Sequence, residues 1–259
     1  MVNFQRMDRY DMDALIRIME LLRAPEGCPW DWEQTHQSIR RNMLEEAYEV
    51  AETIDAMDYE HMKEELGDVL LQVVFHSSMA NSAGQFNLND VVDGVCKKLV
   101  FRHPHLFGDV QADDSQGALN AWEAAKQVEK GQKSATDTLD AVARSLPALM
   151  RAEKIQSKAA KAGFDWKEIG PALDKLSEEV EELKKAVAEH SNVEEELGDV
   201  LFAAVKVGRF AGKDSELALH ATCEKFIRRF EKVENRCPKA MKDMELEELA
   251  ALWEQAKHD

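Results

Sequence analysis

Glycine and proline are scarce in this chain, 12 and 6 of 259 residues. Few windows alternate apolar and polar residues long enough to read as strands. The periodicity is helical almost throughout, so a nearly all-α protein is expected. Cysteine is also sparse: Cys28, Cys96, Cys223 and Cys237. None forms a C-x-x-C pair, and no zinc spacing is present. Buried thiols in a reducing cytoplasm are the plain expectation. No stretch of about 18 apolar residues offers a membrane span. Met1 to Arg9 lacks the apolar core of a signal peptide. A basic surplus is missing too, with 33 Lys and Arg against 50 Asp and Glu and a net charge of −17. That balance argues against nucleic-acid binding and against anionic membranes, both of which need a basic surface. No Ser, Cys or His arrangement recurs in the chain, so no covalent nucleophile stands out.

What is there occurs twice. Glu45-Glu46-x-x-Glu49 precedes Glu65-Leu66-Gly67-Asp68, and Glu178-Glu179-x-x-Glu182 precedes Glu196-Leu197-Gly198-Asp199. Other features repeat in the same order. Lys98-x-x-x-Arg102 matches Lys225-x-x-x-Arg229, and Trp122 matches Trp253. A duplicated helical module is expected, with residues 1–128 as the first copy and 141–259 as the second. The polar stretch 129–140 reads as a linker. Helices are expected near residues 7–23, 38–57, 59–81, 87–104 and 116–130 in the first copy. In the second they are expected near 141–162, 171–189, 192–211, 215–236 and 245–257. Pro- and Gly-containing breaks carry Trp30 and Trp166, which read as packing anchors.

The acids lie along an expected apolar seam. Leu173, Leu176, Val180, Leu183 and Val187 follow 3,4 spacing, and Glu179 and Glu182 each directly precede a seam residue. Glu196 precedes Leu197, and Asp199 precedes Val200. Crowded carboxylates repel unless protons or a cation intervene. Oxygen-only ligands suit a hard dication such as Mg²⁺, and a bound cation also resolves the conflict between an acidic protein and a phosphate-rich ligand. Gly67 and Gly198 sit inside helices at a cost of about 1 kcal/mol each. Their matched placement suggests close approach of a ligand or a neighbouring helix, and ordinary helix packing accounts for them equally well.

Other residues admit two readings. Lys225 and Arg229 share a helix face, where they can hold phosphate or pair with acidic neighbours. Lys175 can reach a phosphate or pair with Glu179 one turn on; its counterpart is the neutral Asn42. Trp253 can stack on a base or fill a core. His103 and His105 flank Pro104 and can bind metal or stand as solvent-exposed or packing residues at a helix end. A di-iron bundle needs Glu-x-x-His on two helices, and only Glu33-Gln34-Thr35-His36 offers that spacing. A non-catalytic, nucleotide-sensing adaptor is a second rival, which intact acids in both copies disfavour.

The ordered set of motifs resembles the MazG family of nucleoside triphosphate pyrophosphohydrolases. It includes Gly27-Cys28-Pro29-Trp30-Asp31, Leu44-Glu45-Glu46-Ala47-Tyr48-Glu49-Val50, Arg102-His103-Pro104-His105, Ser145-Leu146-Pro147-Ala148-Leu149-Met150 and Gly163-Phe164-Asp165-Trp166, together with both acidic pairs. The likeness spans essentially the whole chain and points to long, tandem-domain members. It implies an all-α, interlocked homodimer that hydrolyses NTP to NMP and pyrophosphate. It further implies Mg²⁺ as cofactor, with Mn²⁺ able to substitute, and broad base and sugar tolerance. The implied role is nucleotide-pool housecleaning or a starvation response. The resemblance assigns metal binding to Glu179, Glu182, Glu196 and Asp199. Nucleotide and phosphate contacts fall on Lys175, Glu178, Glu195, Lys225, Arg229 and Trp253, with Glu178 or Glu179 handling the attacking water. The N-terminal counterparts are Glu46, Glu49, Glu65, Asp68, Lys98, Arg102 and Trp122. The C-terminal copy is expected to carry most activity.

Overall fold

A computed structural model describes residues 4–131 and 134–257. Residues 1–3, 132, 133, 258 and 259, which fall in the expected first module, linker and second module, lie outside the described residues. The described residues form helices and connecting turns without a strand. The chain divides into two compact units, Met1–Lys126 and Gln127–Asp259.

Unit 1 contains α1 (Met12–Leu22), α2 (Pro29–Glu33), α3 (Arg40–Ala56), α4 (Tyr59–Ser82), α5 (Leu88–Arg102), α6 (Pro104–Phe107) and most of α7 (Ser115–Glu129). Side-chain caps start several of these helices. Asp11 accepts from the Ala14 amide at 2.9 Å, and Asn87 and Asp90 form a reciprocal capping box. Helix α4 packs against α1, α3 and α5. Its C-terminal half supplies Val74, Phe75 and Met79 to a core completed by Met19 and Ile39. Its N-terminal half carries Glu65 and Asp68 beside α3.

Unit 2 contains α8 (Ala135–Asp140), α9 (Ala148–Lys161), α10 (Gly170–Glu189), α11 (Val193–Phe210), α12 (Ser215–Arg236), the 3-10 turn Met241–Asp243 and α13 (Leu246–Ala256). Helix α10 packs along α11, and α9 packs against α8, α11 and α12. The acid-bearing hairpins of the two units close in the same way. Met57 ends α3 at φ 54° and His190 ends α10 at φ 52°. Each left-handed residue stops its helix within one position, so the next helix folds straight back.

Several expectations need correction. The helix expected over 141–162 begins only at Ala148, because Pro147 has no amide hydrogen and forces the preceding residue out of the helical region. The expected linker contains α8, nucleated by a capping box between Ser134 and Asp137. The thiols are not buried: Cys96 and Cys223 are exposed, and Cys28 and Cys237 are partly so. The most deeply buried residues of α10 are Ala172, Glu179 and Ala186, while the expected seam is half-buried at Leu176, Val180 and Leu183 and exposed at its two ends. Alanine lets helices approach closely, and Leu173 and Val187 are left 46% and 52% exposed. Trp30 and Trp166 are exposed by 58% and 41% and are not buried anchors.

Candidate metal and nucleotide site

In unit 2 the hairpin of α10 and α11 converges its acids. One carboxylate oxygen each from Glu179, Glu196 and Asp199 lies within 4.8 Å of the other two. Glu179 is buried, an unusual place for a carboxylate. Lys175, one turn earlier, reaches Glu178 and Glu179 at 2.9 Å each. Hydrogen bonds to Glu179 first, and then to Glu178, hold the ammonium well above its usual pKa. Glu182 shares a hydrogen bond with Glu179, which together with desolvation raises its carboxyl above the ordinary range. The Asn192 amide donates to Glu196 at 2.8 Å and to Glu195 at 3.2 Å, fixing the start of α11.

Unit 1 brings together an overlapping set in which Glu49, the counterpart of Glu182, replaces the counterpart of Asp199, so Glu182 stands outside the unit 2 triad and Asp68 outside that of unit 1. Oxygens of Glu46, Glu49 and Glu65 lie within 4.8 Å of one another. Desolvation, and then the charge of Asp68, raises the Glu46 carboxyl. Desolvation, and then Glu49, raises Glu65. Both clusters are all-oxygen donor sets of the size and charge that suit a hard dication.

A cavity of about 410 Å³ opens beside the unit 2 cluster. Lys175, Glu179 and Asp199 line its polar end, and Phe164, Trp166, Ala172, Phe202 and Ala203 line the rest. Asp165 and Lys206 in its wall pair at 3.0 Å, and Asp165 also pairs with Arg209. Burial alone would raise the Asp165 carboxyl, but hydrogen bonds from Lys206 and Arg209 outweigh it and hold the carboxyl below its usual value. The Lys206 ammonium stands 5.1 Å above the Trp166 ring.

Of the six expected nucleotide contacts only Lys175 lines this cavity; Glu178, Glu195, Lys225, Arg229 and Trp253 are not in its lining. Lys225 and Arg229 lie on α12, and Trp253 packs on Phe226 with ring centroids 4.9 Å apart. In unit 1, Arg102 and Lys126 lie over the Trp122 ring at 5.4 and 4.5 Å, and Lys98 is exposed on α5. His103 donates from Nδ1 to the Leu99 carbonyl at 2.6 Å, ending α5. The two Nδ1 atoms of His36 and His76 lie 2.8 Å apart, so His36 serves a ring pair instead of a Glu-x-x-His ligand set. Sequence reading missed Asp165, Phe202, Lys206 and Arg209. The only signal for the last two was a pair of cations within the otherwise apolar end of α11.

An added Cβ at Gly67 or Gly198 meets nothing within 4 Å. Packing inside the chain therefore does not explain either glycine.

Residues 34–107 and 171–241 each match the MazG nucleotide pyrophosphohydrolase domain. Over 254 residues the chain is 44% identical to the nucleoside triphosphate pyrophosphohydrolase of Escherichia coli K12, covering 95% of this chain and 97% of that protein. It is 43% identical over 249 residues to the Thermotoga maritima nucleoside triphosphate pyrophosphohydrolase/pyrophosphatase MazG, covering 95% of each. A Bacillus subtilis protein, YabN, described as uncharacterized, is 46% identical over 96% of this chain and 52% of its own length. With two matched domains and two pyrophosphohydrolase relatives matched over at least 95% of both chains, the chain belongs to the MazG nucleotide pyrophosphohydrolase family.

Proposed function

We propose that this chain hydrolyses nucleoside triphosphates between the α and β phosphates, releasing NMP and pyrophosphate. The observation that carries this reading is the convergence of Glu179, Glu196 and Asp199 within 4.8 Å of one another, with Glu179 and Asp199 also lining a cavity of about 410 Å³. Glu179, Glu182, Glu196 and Asp199 would hold Mg²⁺, or Mn²⁺ in its place. A dication held there would supply Lewis-acid polarisation to the phosphate chain and to the attacking water. Glu178 or Glu179 would orient the attacking water and accept its proton. Lys175, with Lys225 and Arg229, neutralises charge that develops on the leaving pyrophosphate. Glu195 and Trp253 complete the nucleotide contacts. We place the modules at residues 1–128 and 141–259, joined by 129–140, with the second as the main catalytic module. Glu46, Glu49, Glu65 and Asp68 form a second metal site, with Lys98, Arg102 and Trp122 as its outer contacts.

The active form is a homodimer in the cytoplasm, with broad NTP and dNTP tolerance and a housecleaning or starvation-response role. Exposed apolar residues on two helices support the dimer: Val92, Leu99, Val100 and Phe101 on α5, and Leu217, Phe226, Ile227 and Phe230 on α12. No helix among the described residues is long and apolar enough to cross a membrane.

The test is product analysis with ATP and Mg²⁺ on the wild type and on Glu182→Gln, with Glu49→Gln added to disable the first module. AMP and pyrophosphate are expected from the wild type. The double variant should lose at least about 100-fold in turnover, with helix content intact by circular dichroism. Full activity in that variant rejects the metal assignment. ADP and phosphate as products reject the reaction.

A further inference from the structure

We propose that His36 and His76 of unit 1 form a binding site for one transition-metal dication of the zinc, nickel and copper class, separate from both acid clusters. Imidazole nitrogens suit those ions, whereas the clusters offer only carboxylate oxygens. Three observations carry it.

The first is the geometry of the pair. The two Nδ1 atoms stand 2.8 Å apart, on residues separated by 40 positions in sequence. The ring planes lie within 7° of each other and the centroids are 5.1 Å apart, so the two nitrogens point at one another. In this state one ring donates and the other accepts. A zinc–nitrogen bond is about 2.0–2.1 Å long, which sets two imidazole nitrogens on a tetrahedral ion about 3.3 Å apart. Opening the pair by about 0.5 Å therefore admits an ion. His36 is free to make that movement, being exposed in the turn between α2 and α3. The donating ring keeps its proton by shifting it to Nε2, and both Nδ1 atoms become ligands.

The second is the surroundings of His76. Burial, and then the charge of His36, hold its pKa below the ordinary value, and the neutral ring is the form that binds metal. Gln72 lies one turn earlier on the same face of α4. Its side chain is buried, and its amide oxygen meets no hydrogen-bond partner among the described residues. It is a spare oxygen donor next to the imidazoles. Other histidines are committed elsewhere: His61 bonds Asp58 at 2.6 Å, and His103 bonds the Leu99 carbonyl at 2.6 Å. The third is the duplication. At the 131-residue offset that relates Asp68 to Asp199, His76 corresponds to Val207, as its neighbour Phe75 does to Lys206. At the 133-residue offset that relates Glu46 to Glu179, His36 corresponds to Ile169. Unit 2 keeps the acids without this pair, so the pair is no part of the duplicated chemistry. His76 lies two turns beyond Asp68, about 12 Å along the helix, so the ion shares no ligand with the acid cluster. It ties the segment that enters α3 to α4, the two helices that carry Glu46, Glu49 and Glu65.

Calorimetric titration of the full chain with Zn²⁺, in excess Mg²⁺ to occupy the carboxylates, tests the site. The wild type should bind a Zn²⁺ equivalent that His36→Ala and His76→Ala each abolish or weaken by at least about tenfold, the least loss typical of disturbing a metal ligand. Cu²⁺ bound in its place should show nitrogen hyperfine splitting in its paramagnetic resonance spectrum, which carboxylate ligands cannot give. His36 is exposed, so its variant keeps the test valid if His76→Ala unfolds. Zn²⁺ binding that is absent from the wild type, or unchanged in the folded variants, overturns the proposal. So does a spectrum without nitrogen splitting, or a loss that follows His103→Ala instead. These readouts need no turnover, so they stand apart from the outcome of the product analysis with ATP.

Discussion

Asp165 shows how much one side chain can settle. Its carboxylate is mostly buried between Lys206 and Arg209, and breaking such a pair typically costs about 3 kcal/mol because cations are left behind without a partner. Asp165→Asn should lower stability by about that amount near neutral pH. The sign of its pH dependence follows from the depressed pKa. The contribution is complete above the unfolded value of about 4 and disappears as pH falls through the lower folded value. Urea titrations at a series of pH values should show wild type and variant converging at the acid end. A constant gap down to about pH 2 would contradict the assigned pairing. Asp165 was visible in the sequence only as part of a helix break. Its partners lie a helix and a half away, and no local spacing links them. Glu179 was legible as an acid beside the seam, but not as a buried member of it. Ala172 and Ala186 are buried on the face of α10 that also half-buries Leu176 and Leu183.

At the scale of elements, helix number and order were largely readable from periodicity and from Pro and Gly breaks. The start of α9 was not, since apolar spacing continues upstream of Pro147 while the backbone cannot. The hairpin closures were also hidden. Met57 and His190 occupy left-handed conformations that glycine adopts without penalty and other residues adopt at about 1 kcal/mol. Nothing in a Met or a His announces such a turn. His190→Gly should therefore raise the stability of the second module by about 1 kcal/mol, seen as a higher denaturant midpoint with an unchanged slope. A lower midpoint would mean that the imidazole makes a stabilising contact that outweighs the backbone gain.

For the whole molecule, the acidic balance and the exposed apolar faces impose different constraints. Net charge of −17 favours solubility and keeps copies apart at long range. Exposed Leu, Val, Ile and Phe on α5 and α12 favour association once copies meet. Light scattering should give twice the chain mass, with the dimer tightening as salt screens the repulsion. A monomer at all salt concentrations would leave those faces without a partner and contradict the proposed dimer. The duplication was readable from the acidic motifs together with the matched Lys-x-x-x-Arg pairs and tryptophans. The divergence of the two interiors was not, because Phe75 and Lys206 differ only as isolated letters until packing shows one buried and the other facing a cavity.

Helix α11 carries Glu196 and Asp199 on its first turns and buries Ala203 and Val205 farther along. One continuous rod thus indexes the acids against the interior. Each residue advances a helix by about 100° and 1.5 Å. A single residue inserted between Asp199 and Ala203 would leave the interior seated and swing the acids about a quarter-turn away from Glu179. The intervening stretch can change its letters but not its length, and the same holds on α4 between Asp68 and Phe75.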